Sequence, residues 1–212
     1  MNMKLAQALV QTLPASAPGL FNPWVGHCPF DTPLNGPTQR LDRLAQHLDC
    51  DAKLILVGEA PGYQGCRYSG VAFTSERLLL AGAIPRIAAP TGRLTSRKTP
   101  FSEPSATIVW RKLKELGIDE TTILWNALQM HPFRPNENWS NRTPTPAELA
   151  LGRAGMEMLR HAFPKAKVVA IGKKAEQLLN DAGIDVVAAI RHPANGGATK
   201  FADGLAEVMA RG

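Results

Sequence analysis

The chain lacks most of the patterns that would assign it to a common nucleotide or metal chemistry. Its 212 residues hold three cysteines, Cys28, Cys50 and Cys66, and no C-x-x-C pair. An odd count excludes a closed disulfide framework and predicts a reducing, cytoplasmic setting. Three thiols also fall short of a four-cysteine zinc or iron–sulfur site, so no metal and no cofactor is expected. The histidines, His27, His47, His131, His161 and His192, are scattered, and no H-x-x-x-H occurs. The chain contains no G-x-x-x-x-G-K-[ST], no G-x-G-x-x-G and no G-x-S-x-G. P-loop, dinucleotide and α/β-hydrolase readings are thereby set aside. No run approaches the roughly 18 apolar residues of a membrane span, so no membrane partner is expected. The opening MNMKLAQALVQTLPASAPG has the lysine and short apolar patch of a secretory leader. Gln7 and Gln11 interrupt that patch, and the segment reads as an amphipathic helix.

What is present is an alternation of buried strands and amphipathic helices. Lys53–Val57, Thr122–Trp125, Lys167–Ile171 and Asp185–Ile190 are short, apolar and rich in β-branched residues, the pattern of strands buried on both faces of a parallel sheet. Between them run helices with legible ends. Ser102 and Pro104 open one that Gly117 closes, and Thr145-Pro146-Ala147-Glu148 forms a capping box ahead of ELALGRAGMEMLRHAF. KKAEQLLNDAG is a third, and Lys200–Arg211 a last amphipathic one. The pattern predicts an α/β fold, a three-layer α/β/α sandwich with a central four-stranded parallel sheet, as one domain over residues 1–212. Residues 1–50, with helices over Met3–Leu13 and Pro37–Leu48, form an N-terminal extension packed on it.

The net charge is +6, from 24 Lys and Arg against 18 Asp and Glu. That balance favours a polyanionic partner. Residues 85–104 read as a basic loop insertion without regular structure, and Arg93, Arg97 and Lys98, with Arg86 at its edge, suit contacts to a phosphate backbone.

In open α/β sheets, ligands bind beyond the carboxyl ends of the strands. Those places hold GEAPG after the first strand, Asn126 after the second and Arg191-His192-Pro193 after the fourth. One carboxylate, one amide, one imidazole and nearby aromatics suit a flat polar ring.

These residues carry a family resemblance. GEAPG, Phe73 in GVAFTSE, Asn126, NRTPTPAEL, KVVAIGKKAEQLL and RHPANGG occur in the order found in the uracil-DNA glycosylase superfamily. The chain most resembles its bacterial and archaeal branch with GEAPG-type loops, over roughly Lys53 to Phe201. The resemblance implies a pocket for a base flipped out of DNA and hydrolysis of the bond joining that base to deoxyribose. It implies that Glu59 and the backbone of Gly58, Ala60, Pro61 and Gly62 hold water and sugar, with Tyr63 at the base. Phe73 would stack on the base and Asn126 would pair with its edge. His192 would donate to the base oxygen that gains charge, while Arg191, Pro193, Ala194 and Asn195, with Arg67, would contact DNA.

The sequence also departs from the pattern. Relatives carry an aspartate at the place of Ala60, which moves the water-activating role to Glu59. Met130 stands where cluster-binding relatives keep cysteine, and HPAN replaces the more familiar HPS. Tyr63 and Arg67 stand where relatives are acidic. The expected protein is a monomeric, monofunctional glycosylase for uracil or a related deaminated base. Two alternatives are a module that binds lesions with little hydrolysis and an enzyme acting on free nucleosides or nucleotides. His131, Trp139 and Cys66 are further candidates at the rim.

Overall fold

A computed structural model of the protein describes residues 1–211. Helix α1 (Met3–Gln11), a two-residue strand β1 (Leu20–Phe21) and helix α2 (Pro37–His47) precede the first strand of the central sheet, β2 (Leu54–Gly58). Two short helices, α3 (Cys66–Ser69) and α4 (Glu76–Leu80), and the longer α5 (Pro104–Glu115) lead to β3 (Thr122–Asn126). After β4 (His131–Pro132) come α6 (Pro146–Ala150), α7 (Arg153–Ala162), β5 (Lys167–Ile171), α8 (Lys173–Asp181), β6 (Ala188–Ile190) and α9 (Ala198–Ala210).

The sheet is parallel, in the order β3-β2-β5-β6. Alternate residues of each strand serve opposite layers. Ile55, Val57, Ile123, Trp125, Val168 and Ala170 pack with side chains of α1, α2, α7 and α8. Leu54, Leu56, Leu124, Val169 and Ile171 pack with α4, α5 and α9. Burial on both faces explains why these strands read as unbroken apolar runs.

β3 is an edge strand, and α2 closes it. The buried His47 Nε2 accepts the Leu124 N–H at 2.9 Å, which requires the neutral ring. Burial, with Arg86 nearby, lowers this imidazole to about 3. Arg86 itself donates to the carbonyls of His47, Asp119, Glu120 and Thr122. It therefore ties loop ends together instead of reaching toward DNA.

Residues 85–103 lie outside the named helices and strands, and Pro104 already begins α5, but the segment is not a free basic loop. Glu76, fully buried, accepts from the Leu94 and Thr95 N–H groups and from Arg93 Nε through one oxygen. Its other oxygen takes Thr95 Oγ1 and the Phe101 N–H. The segment is wrapped around one carboxylate.

Three expected boundaries shift. The last strand shortens to Ala188–Ile190, and Val187 before it is 56% exposed. The helix from Pro104 takes Glu103 as its cap residue, with no side-chain cap from Ser102. The long helix after Thr145 divides at Leu151–Gly152, where bare Gly152 lies directly under the Ala127 carbonyl and a Cβ would collide with backbone. The capping box itself forms, with Thr145 Oγ1 accepting from Glu148 N and Glu148 Oε2 from Thr145 N.

Candidate active site

Gly58 and Asn126 are direct neighbours in the sheet, each ending its strand. A Cβ on Gly58 would stand 2.6 Å from the Phe73 ring and 3.0 Å from Asn126 Oδ1. Glycine there is a matter of space. It lets an aromatic face and an amide converge over one bare Cα. Phe73 is held in the left-handed region, φ 49°, although it carries a side chain, a conformation that persists only where surrounding structure enforces it.

The loop after β3 is latched onto the loop after β2. Ala127 N donates to Gly58 O and Leu128 N to Glu59 O, at 2.8 and 2.9 Å. Gln129 Nε2 holds the turn by donating to Asn126 O and Ala127 O. Asn126 is 4% exposed as a residue, and its side-chain amide makes no hydrogen bond among the described residues and is not sealed from solvent, so it opens onto the cleft. It faces a cleft of about 1180 Å³ that Glu59, Ala60, Pro61, Gly62, Phe73 and His192 also line.

His192 arrives from the loop after β6, its ring centre 5.9 Å from that of Phe73. Its Nδ1 accepts the Ala194 N–H at 3.1 Å. An accepting Nδ1 places the ring proton on Nε2, available as a donor. Burial, aided by the Arg191 charge, holds the imidazole below its usual range, which favours this neutral tautomer. Arg191, Pro193, Ala194 and Asn195 line the same cleft, Arg191 and Asn195 exposed and Pro193 buried.

Glu59 is half-buried, its side chain 32% exposed, with Lys174 Nζ 3.9 Å away. Burial raises its carboxyl and Lys174 opposes the shift.

Several expected contacts fall elsewhere. The Tyr63 ring packs edge-on against Phe101, 6.1 Å between centres, and does not line the cleft; its backbone N–H is bound by Asn141 Oδ1 at 3.0 Å. Arg67 is buried, 3% exposed, its guanidinium 3.9 Å above the Phe21 ring and bonded to His131 Nδ1 and Asn138 O. A cation inside an aromatic cage joins the N-terminal loop to the segment after β4 and cannot meet a phosphate. Arg93 is tied to Glu76 and Arg97 lies over the Phe101 ring at 4.1 Å. Lys98 is exposed but, like those two, stands outside the cleft lining.

His131 is part of the scaffold. Its Nε2 donates to Ser140 O and reaches Asn141 Oδ1, while burial and Arg67 lower it to about 4. Trp139, 40% exposed, donates to Tyr68 Oη. Cys66 lines the cleft as a buried neutral thiol that burial pushes up. Among the described residues no group of three or more His, Cys, Asp or Glu side chains is placed to hold a metal.

A family model described as the uracil DNA glycosylase superfamily matches residues 45–208. The chain belongs to that superfamily. Among solved structures it is similar to wild-type SMUG2 of Pedobacter heparinus, with a TM-score of 0.66 at 15% identity over 98% of this chain and 97% of that one. At that identity the likeness speaks for the fold. No curated protein matches the sequence significantly.

Among the cleft residues of this superfamily member that escape a reading of its strand ends are Glu103, Asn141, Arg142 and Lys174. Arg142 had a local signal. Within NRTPTPAEL, Glu148 closes the capping box and also grips Arg142 through both oxygens, at 2.8 and 2.6 Å. The Arg142 hydrogen bonds hold the Glu148 carboxyl at about 2. The motif fixes a cation at the cleft wall. Glu103 had no such signal, since its carboxyl reaches the cleft from outside every recognised motif.

Proposed function

We propose that the protein hydrolyses the N-glycosidic bond of uracil or a related deaminated base in DNA, releasing the base and leaving an abasic site. The observation that carries this reading is the convergence over Gly58 of the Phe73 face and the unpartnered Asn126 amide, with His192 beside them. An amide with both donors and its acceptor free fits a base edge that presents one N–H and one carbonyl. Phe73 offers the stacking surface.

Bond breakage leaves positive charge on the sugar and negative charge on the departing base. His192, neutral with its proton on Nε2, donates to the base oxygen where charge accumulates, and donation that strengthens as charge grows lowers the barrier. Glu59 stands at the start of the loop where the sugar would lie, and its carboxylate stabilises the developing cation and orients water. Arg142, Lys174 and Arg191 supply positive charge around a polyanionic strand. Uncombined Cys28, Cys50 and Cys66 fit a reducing cytoplasm. We read the working unit as a monomer.

One observation favours a lesion-binding module as the second reading: Glu59, the carboxylate left to activate water, is shared with Lys174. The deciding experiment is base release from a labelled oligonucleotide with one uracil, followed by alkaline cleavage, comparing wild type with Asn126→Ala. Cleavage that disappears in the variant supports hydrolysis. Salt-sensitive binding to the uracil oligonucleotide, with every deaminated base left in place, rejects hydrolysis in favour of binding.

A further inference from the structure

Glu103 plays no part in the chemistry above, yet it is built into the cleft. It is the cap residue of α5, but its side chain makes no cap hydrogen bond, and its carboxyl turns back toward the loop after β2. Oε2 occupies the place a Cβ on Gly65 would take, beside the Thr74 carbonyl, and Oε1 lies 3.6 Å from the equivalent point on Gly62. The carboxyl as placed needs a bare Cα at residue 65, while at Gly62 the contact is an ordinary one. Oε2 is sealed from solvent without a hydrogen-bond partner among the described residues, which leaves Oε1 as the oxygen that meets the cleft. An unpaired buried carboxylate is costly, so a chain that keeps one supplies either a proton or a ligand to complete it.

We propose that Glu103 is a specificity-determining residue of the base pocket, its carboxylic O–H donating to a carbonyl on the edge of the extruded base that lies toward Gly62 and Gly65. The proposal rests on the glycosylase reading. Deamination replaces an amine by a carbonyl, and a donor at this wall favours the carbonyl while confronting an amine with another donor.

The surroundings favour the protonated form. Burial without a nearby cation pushes the carboxyl up to about 7. The groups packed against it are the neutral Cys66 thiol and the Asn141 amide, whose Oδ1 is already engaged by Tyr63 N. Arg77 on α4 is turned to Ser102 Oγ and Thr107 Oγ1. Glu59, Arg142, Lys173, Lys174, Glu176, Arg191 and His192 are the other charged and titratable groups that line the cleft.

The test is kcat/KM for uracil release from single-stranded DNA between pH 5.5 and 9 for wild type, Glu103→Gln and Glu103→Ala, with folding checked by circular dichroism. Wild type should fall about tenfold in all as pH rises through the Glu103 midpoint and then level off, because only the protonated form donates. Glu103→Gln keeps a donor at every pH, so its alkaline limb should disappear while its rate at pH 6 stays near wild type. Glu103→Ala should fall about tenfold at pH 6 and match wild type at pH 9. The same alkaline limb in Glu103→Gln as in wild type, or an undiminished Glu103→Ala at pH 6, overturns the proposal while leaving the glycosylase reading intact. A wild type that releases no base at any pH overturns both.

Discussion

The carboxylate of Glu76 should hold residues 93–101 in place, and removing it should cost a large part of the protein's stability. Its two oxygens accept five hydrogen bonds, from Arg93 Nε, Leu94 N, Thr95 N, Thr95 Oγ1 and Phe101 N. Glu76→Ala leaves three backbone N–H groups and a guanidinium without their partner. Each orphaned buried donor costs about 1–3 kcal/mol, but the losses overlap, and Arg93, whose side chain is 34% exposed, can turn to water. The expected loss is about 3–5 kcal/mol, the range for breaking a buried charge network, against a total of about 5–15 kcal/mol. Glu76→Gln keeps one acceptor oxygen and turns an amine toward existing donors, so about 2 kcal/mol is expected. Burial alone would raise this carboxyl, but its hydrogen bonds outweigh burial and hold it below the ordinary value. A depressed carboxyl stabilises above its unfolded pKa and loses that contribution as pH falls through the folded one. The gap between wild type and Glu76→Gln should therefore close in acid, below about pH 4. Urea unfolding measures the global loss, and trypsin reports the local one through Arg93, Arg97 and Lys98. A Glu76→Ala variant within about 1 kcal/mol of wild type, with this segment still resistant to trypsin, would refute the reasoning.

Asn126→Ala should reduce base release by about 10²-fold with unfolding unchanged to within about 1 kcal/mol, since the amide has no partner to lose in the folded protein; equal rates for both proteins would remove it from base recognition. His192 must be neutral to keep accepting from Ala194 N, so activity should persist below the ordinary imidazole pKa and fall only as pH drops through its lowered value. An acid limb centred above 6.5, or its survival in His192→Ala, would assign that limb to another group. Gly152→Ala should destabilise by about 3 kcal/mol by driving a Cβ into the Ala127 carbonyl, read as a lowered urea midpoint. A neutral substitution there would show that the break between α6 and α7 does not arise from this approach.

The sheet was legible because parallel strands buried on both faces need no polar alternation, and KLILV, TILW and KVVAI announce themselves. The capping box at Thr145 was equally legible, being local. What was not legible depends on partners far along the chain. Arg67, Arg86 and Arg93 look alike in sequence, each a cation in a loop-rich stretch. Arg67 is enclosed against Phe21 and His131, Arg86 gathers four carbonyls and Arg93 meets Glu76. Charge counted along the chain overstated what is free to meet a phosphate. Asn126 and His192 were legible for the opposite reason, since the end of a parallel strand fixes where a side chain must emerge.

GEAPGYQG invites a reading in terms of backbone freedom, but space matters as well at two of its glycines. Neither Gly58 nor Gly65 has a positive φ. A Cβ on Gly58 would meet the Phe73 ring, and one on Gly65 would meet the end of the Glu103 side chain. Gly58 yields its space to Phe73 and Asn126, and Gly65 yields its space to Glu103. The pocket wall is therefore made by side chains that come to this loop from residues 73, 103 and 126. A motif confined to residues 58–65 can mark one wall of the cleft, but the side chains that complete the wall belong to segments that sequence spacing keeps apart.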